Sequence, residues 1–316
     1  MKILKTINLT YPHKLDTHDL PETVAAIGFF DGIHKGHQSV IKQAVTKAKE
    51  NKMESAVMTF YPHPSVVLKN NHDVKYITPL KEKQAMLAKL GVDRVYIISF
   101  NKELSALSPQ DFVDHFIIGL HIKHVVAGFD FSYGHKGQGN MDVIGEHSRG
   151  LFGYTKVAKV TLDDEKISST VIRGLLHEGD MEQVNLLLGR PLTTSGIVIE
   201  GDKRGRELGY PTANIQYHLD ALLPKPGIYA VRVIIDGKHY NAMASLGTNP
   251  TFTQDRKDLS LEVNILDFSN DLYGKEIIVE WYKFIRQEEK FSSVEELVEQ
   301  MEDDEKQIRH VLTSLV

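Results

Sequence analysis

The chain has 316 residues, of which 41% are hydrophobic and 25% are charged, a balance typical of a globular protein long enough for two domains. Its net charge of −5 at pH 7 provides no basic excess for a polyanion, which argues against a nucleic-acid partner. The absence of cysteine excludes disulfides, thiolate metal sites and a cysteine nucleophile.

The N-terminal segment Met1–Leu20 is mixed polar and lacks the apolar core of a signal peptide. No stretch of the sequence approaches the roughly 18 apolar residues that span a bilayer. We therefore expect a cytoplasmic protein without a membrane partner. The expected state of assembly is a monomer or a weak oligomer.

A strand, a glycine-rich turn and a helix follow. The apolar run Val24–Ile27 leads into residues 28–37, which read Gly-Phe-Phe-Asp-Gly-Ile-His-Lys-Gly-His, and then into an amphipathic helix marked first by Val40. Such a turn favours phosphate binding, because helix-start amides and the helix dipole attract anions. His34 and His37 add two imidazoles, which suit nucleotidyl transfer, a reaction that depends on positioning and charge stabilisation. The alternative is two surface histidines in a chain that has 15.

The first half alternates strand and helix patterns, which predicts an α/β domain with a Rossmann-like parallel sheet. Strand patterns occupy residues 55–60, 95–100 and 123–129. Helix patterns begin at Thr78-Pro79, with an end at Gly91, and at Ser108-Pro109. Because ligands bind beyond the carboxyl ends of parallel strands, Gly28–His37 and Gly128-Phe129-Asp130 are expected at one site.

A hydroxyl-rich segment lies near the middle of the chain. Ser168, Ser169 and Thr170 stand at a predicted helix start, where hydroxyls cap the helix or bind phosphate oxygens, and Arg173 follows within one turn. Taken alone, the segment is better explained as a serine cap with a solvated arginine. Paired with the Gly28–His37 turn, it indicates a phosphate site.

The second half changes to a β pattern, with a domain boundary predicted near residue 186, giving domains 1–185 and 186–316. Strand patterns occupy residues 194–200, 228–235, 238–246, 259–268 and 276–285, and Asp236-Gly237 is a hairpin signal. Ser293 and Glu296 form a capping-box pattern before a terminal helix whose predicted apolar stripe starts at Val294. Short antiparallel strands with one helix predict a small antiparallel β-barrel.

Three features of the second half point to phosphoryl transfer. The loop 201–209 is basic and contains glycines. The glycines let backbone amides come close to phosphates, and the basic side chains supply positive charge. Thr212 and Asn214 share one side of an extended segment, and their oxygens suit Mg²⁺ together with ATP phosphates. Glu262 projects from the polar face of a strand, where a carboxylate accepts a proton from a substrate hydroxyl. The alternative for Thr212 and Asn214 is a turn and a strand in which both side chains only form hydrogen bonds with the backbone. The alternative for Glu262 is a solvated glutamate on the outer face of the barrel.

These segments together resemble the prokaryotic bifunctional riboflavin kinase/FMN adenylyltransferases, also called FAD synthetases. In the first half the resemblance lies in the Gly-Phe-Phe-Asp-Gly-x-His turn, Thr59-Phe60-x-Pro62-His63-Pro64, Gly128-Phe129-Asp130-Phe131-x-Tyr133-Gly134 and residues 167–173. In the second half it lies in residues 209–215, 227–230, 247–252, 261–263 and 272–274. The resemblance spans essentially the whole chain.

The resemblance implies phosphorylation of riboflavin to FMN by the C-terminal domain and adenylylation of FMN to FAD by the N-terminal domain. The implied partners are the small molecules riboflavin, FMN and ATP, with Mg²⁺ accompanying ATP. By this resemblance His34 and His37 assist adenylyl transfer, and Glu262 is the base acting on the ribityl 5′-hydroxyl. Thr212 and Asn214 are the implied ligands of Mg²⁺.

The implied binding residues form two sets. The nucleotide site of the first domain comprises Gly28, Phe29, Asp31, Asp130, Ser168, Ser169, Thr170 and Arg173, with the Pro62-His63-Pro64 loop nearby. The flavin and ATP site of the second comprises Gly201, Lys203, Gly205, Arg206, Gly209, Pro211, Thr212, Asn214 and Arg286.

Two alternatives stay open. The first is a single-activity FMN adenylyltransferase whose second module is degenerate, although the polar residues expected for both activities are present. The second is a flavin-binding regulator that turns nothing over. Measured turnover of riboflavin with ATP would separate all three.

Overall fold

A computed structural model describes residues 3–13, 19–162, 165–201, 208–247 and 259–314. Lys203, Gly205 and Arg206 of the predicted kinase loop, and residues 248–252 of one family-like segment, lie outside these described residues. The chain folds as two units, Met1–Ser168 and Ser169–Val316.

The first unit is built on a six-stranded parallel sheet, so the α/β prediction is confirmed. The strands of the unit are β1 (Lys5–Thr10), β2 (Thr23–Ile27), β3 (Glu54–Tyr61), β4 (Arg94–Ser99), β5 (Ile122–Gly128), β6 (Ser132–Tyr133), β7 (Gly139–Asn140), β8 (Gly153–Val157), β9 (Thr161–Leu162) and β10 (Glu165–Lys166). The order in the large sheet is β1-β4-β3-β2-β5-β8, while β6-β7 and β9-β10 form two small hairpins.

Helices cover both faces of this sheet. They are α1 (Lys35–Glu50), α2 (Pro64–Leu68), α3 (Leu80–Lys89), α4 (Lys102–Ser105), α5 (Pro109–Val113), continued by a π-helical turn (Asp114–Ile118), a 3₁₀ turn (His135–Gly137) and α6 (Ile144–Ser148). Alternate residues of the fully buried strand β2 face opposite layers. Val24 packs with Ile41 of α1, whereas Ala25 packs with Phe116 of the π-helical turn. Two apolar layers therefore enclose β2 at the centre of the sheet.

The strand order places a switch point beside β2. The chain runs from β2 to β3 and β4 on one side, and then crosses back to β5 on the other side. Segments that leave the carboxyl ends of β2 and β5 consequently flank one crevice, which is where open parallel sheets bind ligands.

The second unit contains the predicted antiparallel barrel, which is closed. Its strands are β11 (Leu192–Ile199), β12 (Thr212–Tyr217), β13 (Gly227–Ile235), β14 (Lys238–Gly247), β15 (Ser260–Ile265) and β16 (Glu276–Arg286). The order around the barrel is β11-β12-β15-β14-β13-β16. At the β13–β14 hairpin, Asp236 and Gly237 have φ of 50° and 79°, as a two-residue primed turn requires.

In the part of the chain that the structure describes, three helices accompany the barrel: α7 (Ser169–Glu178), α8 (Met181–Leu188) and α9 (Val294–Thr313). Asn185 ties α8 to the barrel, because its Nδ2 donates to the Trp281 carbonyl at 2.7 Å and its Oδ1 accepts from the Leu192 amide at 2.8 Å. Among the described residues, no helix is both long enough and apolar enough to cross a bilayer.

The terminal helix α9 begins as predicted, and the predicted Met301 packs against the barrel, but the first residue of the predicted stripe does not. Ser293 Oγ accepts from the Glu296 amide at 3.2 Å, which confirms the cap. The predicted stripe is wrong at Val294, which is 57% exposed, because contact with the barrel starts further along the helix. There Ile308 and Leu312 are fully buried and pack with Ile228.

Candidate functional sites

The first candidate site is the turn that follows β2. The Gly28 amide donates to the Met58 carbonyl at 3.1 Å, which continues the sheet pairing into the turn. The backbone then winds through three positive φ values, 53° at Phe30, 86° at Gly32 and 41° at Ile33, before α1 begins. This winding directs the start of α1 toward the crevice at the switch point.

His34 and His37 form a stacked pair at the start of α1. His34 is the N-cap residue, and its Nδ1 accepts a hydrogen bond from the His37 amide at 3.2 Å. The two rings stack with centroids 3.6 Å apart and an interplanar angle of 19°. Because Nδ1 of His34 accepts, the proton of its neutral ring is assigned to Nε2, which is a donor suited to a phosphate oxygen.

Burial keeps both rings uncharged. Removal from water lowers the pKa of His34 to about 4, although its own backbone and the carboxylates of Asp130 and Asp31 act in the opposite direction. Burial lowers the pKa of His37 well below its usual range, and the neighbouring His34 ring, whose protonation would compete with that of His37, and the Lys83 ammonium lower it further. At neutral pH the pair therefore offers hydrogen bonds and not two positive charges.

We expect the His34 ring to show no titration between about pH 5.5 and about pH 8 in the folded chain. Its folded pKa of about 4 lies below the unfolded value of 6.5, so the stabilisation it provides is complete above 6.5 and is lost as the pH falls toward 4. The measurement is the Cε1–H NMR shift against pH, assigned with a His34→Asn variant. A shift centred near 6.5 would contradict the burial of the ring.

The back of the turn is held by the segment that starts α3. The Thr78 amide donates to Asp31 Oδ1 at 3.1 Å, and Lys83 Nζ donates to the Phe29 carbonyl at 2.8 Å. That carbonyl also accepts from Thr59 Oγ1 at 2.9 Å. The sequence reasoning placed Phe29 and Asp31 in the site but missed Lys83. Its only signal was the helical spacing to the buried Leu87.

Asp130 follows β5 and lies on the other side of the crevice. Its Oδ2 accepts from Lys166 Nζ at 2.9 Å, and that ammonium lies 4.8 Å from the centre of the Phe129 ring. The charges of Asp130 and Lys166 both act on His34. Gly28, Phe29, Asp31 and Asp130 are thus brought around the histidine pair in the first unit.

The hydroxyl-rich segment spans the division between the two units. Ser168 ends the first unit, whereas Ser169, Thr170 and Arg173 lie in the first turns of α7 in the second. The helix start predicted from the sequence is confirmed. The binding of phosphate by these residues stays a prediction.

The second candidate site is a cavity of about 250 Å³ in the second unit. Glu262 of β15 lies in the wall of this cavity. Its side chain is on the opposite face of the strand from the buried Leu261 and Val263. Thr212 Oγ1 donates to Glu262 Oε2 at 3.3 Å, and the strand register sets Asn214 directly across from Glu262. The structure therefore brings these three predicted residues together.

The Asn214 amide is held in a close-fitting position. It is 8% exposed, and a Cβ at position 201 would overlap it, so only Gly201 allows this approach. Two further predicted residues flank β12: the Pro211 carbonyl accepts from Asn264 Nδ2 at 2.8 Å, and Gly209 has φ of 83°. Among the described residues, no cluster of three or more histidine, aspartate or glutamate side chains could hold a metal ion.

Arg286 also lines the cavity and is anchored from behind. Its Nε and Nη2 reach both oxygens of Asp304 in α9, at 2.7–3.1 Å, and Asp304 is only 1% exposed. Glu288, which sequence reasoning missed, lies in the same wall. Burial and the charge of Glu262 raise the pKa of Glu288. No local pattern marks Glu288, since its position depends on how the chain turns after β16.

Comparisons with known proteins cover the whole chain. A family model for FAD synthetase matches residues 16–171, and one for riboflavin kinase matches residues 188–312. A bifunctional riboflavin kinase/FMN adenylyltransferase from Listeria monocytogenes is 50% identical over 313 residues, 99% of each chain. The protein of that name from Bacillus subtilis is 45% identical over 314 residues, again 99% of each chain.

A solved structure from the same comparisons is similar over nearly the full length. It is a crystal structure from Streptococcus pneumoniae described as a macrolide-efflux protein, with a TM-score of 0.87 and 34% identity over 97% of this chain and 99% of that one. This likeness supports the fold.

Proposed function

This chain belongs to the bifunctional riboflavin kinase/FMN adenylyltransferase family, and from that premise we propose how its two sites divide the work. The C-terminal part phosphorylates riboflavin with ATP to give FMN. The N-terminal part adenylylates FMN with a second ATP to give FAD and pyrophosphate. The observation that carries this function is the match of both family models, in this order, within a chain 50% identical to a bifunctional relative.

In the adenylyltransferase site, we propose that the neutral histidine pair and the α1 amides bind the triphosphate of ATP. A phosphate oxygen of FMN attacks the α-phosphorus, the new P–O bond forms, and the bond to pyrophosphate breaks. His34 Nε2 and His37 donate hydrogen bonds to the oxygens on which charge accumulates. Ser168, Ser169, Thr170 and Arg173 are proposed to hold the remaining phosphate oxygens, and Asp130 lies at the edge of the site.

In the kinase site, Glu262 is the proposed base that takes the proton from the ribityl 5′-hydroxyl as its oxygen attacks the γ-phosphorus of ATP. The hydroxyl of Thr212 and the amide oxygen of Asn214 are hard donors, and with the Glu262 carboxylate close by they fit Mg²⁺. Bound there, Mg²⁺ would neutralise phosphate charge. Arg286 is proposed to shape the flavin pocket, and Gly201, Gly209 and Pro211 to belong to the same flavin and ATP site.

Several other expectations stay predictions. The functional division at residue 186 is supported by the family models, which leave residues 172–187 outside both matches. The phosphate contacts of Lys203, Gly205 and Arg206 are proposed from the sequence pattern alone. The cytoplasmic location, the monomeric or weakly oligomeric state and the lack of a nucleic-acid or membrane partner are likewise proposals.

The experiment that tests this function is chromatography of flavins after incubation with riboflavin, ATP and Mg²⁺. We expect FMN to appear first and FAD to follow, with one pyrophosphate released per FAD. FAD formed only when FMN is supplied would favour a single-activity adenylyltransferase. Flavin binding without any product would favour a regulator.

A further inference from the structure

Lys83 is a buried lysine directly behind the adenylyltransferase turn. Lys83 is 3% exposed, and its side chain extends from α3 toward the Gly28–His37 turn rather than toward solvent. Its Nζ donates to the Phe29 carbonyl at 2.8 Å and lies 4.7 Å from the centre of the Phe29 ring. A lysine rarely loses this much hydration without a specific role, because burial of an ammonium ion is costly.

The turn needs such support, because its backbone is unfavourable on its own. Phe30 and Ile33 are non-glycine residues with positive φ, and such conformations persist only where neighbouring groups over-determine them. The contacts from the α3 side contribute to that constraint at two points, the Phe29 carbonyl, which Thr59 also holds, and the Asp31 carboxylate. Phe29 and Asp31 lie in the same turn as His34, which follows them in sequence.

The charge of Lys83 also reaches the catalytic rings. The carboxylate of Asp31 favours the ammonium form of Lys83, while burial lowers the pKa of Lys83 to about 8. In turn the ammonium disfavours protonation of His37, as does His34 stacked upon it. The titratable groups that act on this cluster include Asp31 and His34 from the turn, His37 from α1 and Lys83 from α3, and Asp130 and Lys166 act on His34 in addition.

We propose that Lys83 is a positioning residue for adenylyl transfer, whose ammonium fixes the Phe29 carbonyl, and through it the His34–His37 pair, in the arrangement that receives ATP. This inference rests on the proposed adenylyltransferase function of the first unit. A merely structural lysine would need only its length and its apolar stem. A positioning lysine needs its charge as well.

The test compares Lys83→Met, which keeps length but removes charge, with Lys83→Arg, which keeps charge, in the full chain. Exposed Lys89, on the same helix, provides the control Lys89→Met. We expect Lys83→Met to lower kcat for FAD formation from FMN by more than about tenfold with a much smaller change in KM for ATP. The rate of riboflavin phosphorylation by Lys83→Met should stay within about twofold of that of the unmodified chain. The same limit should hold for both activities of the control variant Lys89→Met.

Two readouts separate positioning from packing. The rate of FAD formation in the unmodified chain should fall as the pH rises through about 8, where Lys83 loses its proton, and Lys83→Arg should retain its rate there. In Lys83→Met the NMR titration of His37 should move to higher pH, because a nearby positive charge is gone.

Three outcomes would overturn the proposal. They are a Lys83→Met rate within about threefold of the unmodified chain, an unchanged His37 titration, and an alkaline profile shared by the unmodified chain and Lys83→Arg. If circular dichroism shows that Lys83→Met does not fold, the pH dependence of FAD formation by Lys83→Arg above about pH 8 decides whether the proposal holds. Failure of the underlying function is distinct, since the unmodified chain would then make no FAD from FMN.

Discussion

Replacement of His37 by alanine should depress FAD formation by about 10²–10³-fold while FMN formation from riboflavin continues. The ring stacks on His34 at 3.6 Å and belongs to the first unit, whereas the kinase cavity lies in the second. Loss of one preorganised donor removes transition-state stabilisation from adenylyl transfer alone. In chromatograms of a reaction started from riboflavin, FMN should accumulate where the unmodified chain gives FAD.

The control for this variant is His72→Ala, because His72 is exposed and belongs to no described site. It should leave the yields of both flavins unchanged. Disappearance of FMN as well as FAD in folded His37→Ala would contradict separate sites. Unchanged FAD formation would remove His37 from the mechanism, and the stacked pair would then be only a helix cap with a ring against it.

Patterns in the sequence predict the parts of the fold that are buried on a regular face. Strand β2 and helix α1 follow from the run Val24–Ile27 and the helical spacing after it, because burial selects apolar residues with the period of the element. The edge strands β1 and β8 were missed. Their sequences, Lys-Thr-Ile-Asn-Leu-Thr and Gly-Tyr-Thr-Lys-Val, are largely exposed, so pairing with a neighbour rather than apolar pattern defines them.

The same division applies to the sites. The proximity of His34 to His37, and the shared strand side of Thr212 and Asn214, are predictable because each pair lies on one local element with fixed spacing. Lys83 was not predictable, since a lysine on a helix usually reaches solvent and only the fold brings its ammonium to the Phe29 carbonyl. Contacts between elements distant in sequence carry no local signal.

Replacement of Asn214 by alanine should abolish riboflavin phosphorylation, with a loss of at least about 10²-fold, while FAD still forms when FMN is supplied. Asn214 lies directly across from Glu262 in the strand register, and its amide fills a space that only Gly201 leaves open. Alanine removes the amide oxygen proposed to hold Mg²⁺ beside Glu262 and leaves the first unit untouched.

The measurement has two arms, one started from riboflavin and one from FMN, each at several Mg²⁺ concentrations. Exposed Asn270 gives the matched control Asn270→Ala, which should behave as the unmodified chain in both arms. If the Asn214 oxygen serves Mg²⁺ and ATP, the residual kinase rate of Asn214→Ala should need more Mg²⁺ to saturate. Failure of this variant to make FAD from added FMN would show that the two activities are not independent. Undiminished phosphorylation would show that the Asn214 amide serves only the packing of the barrel. Its position across from Glu262 would then have no part in catalysis.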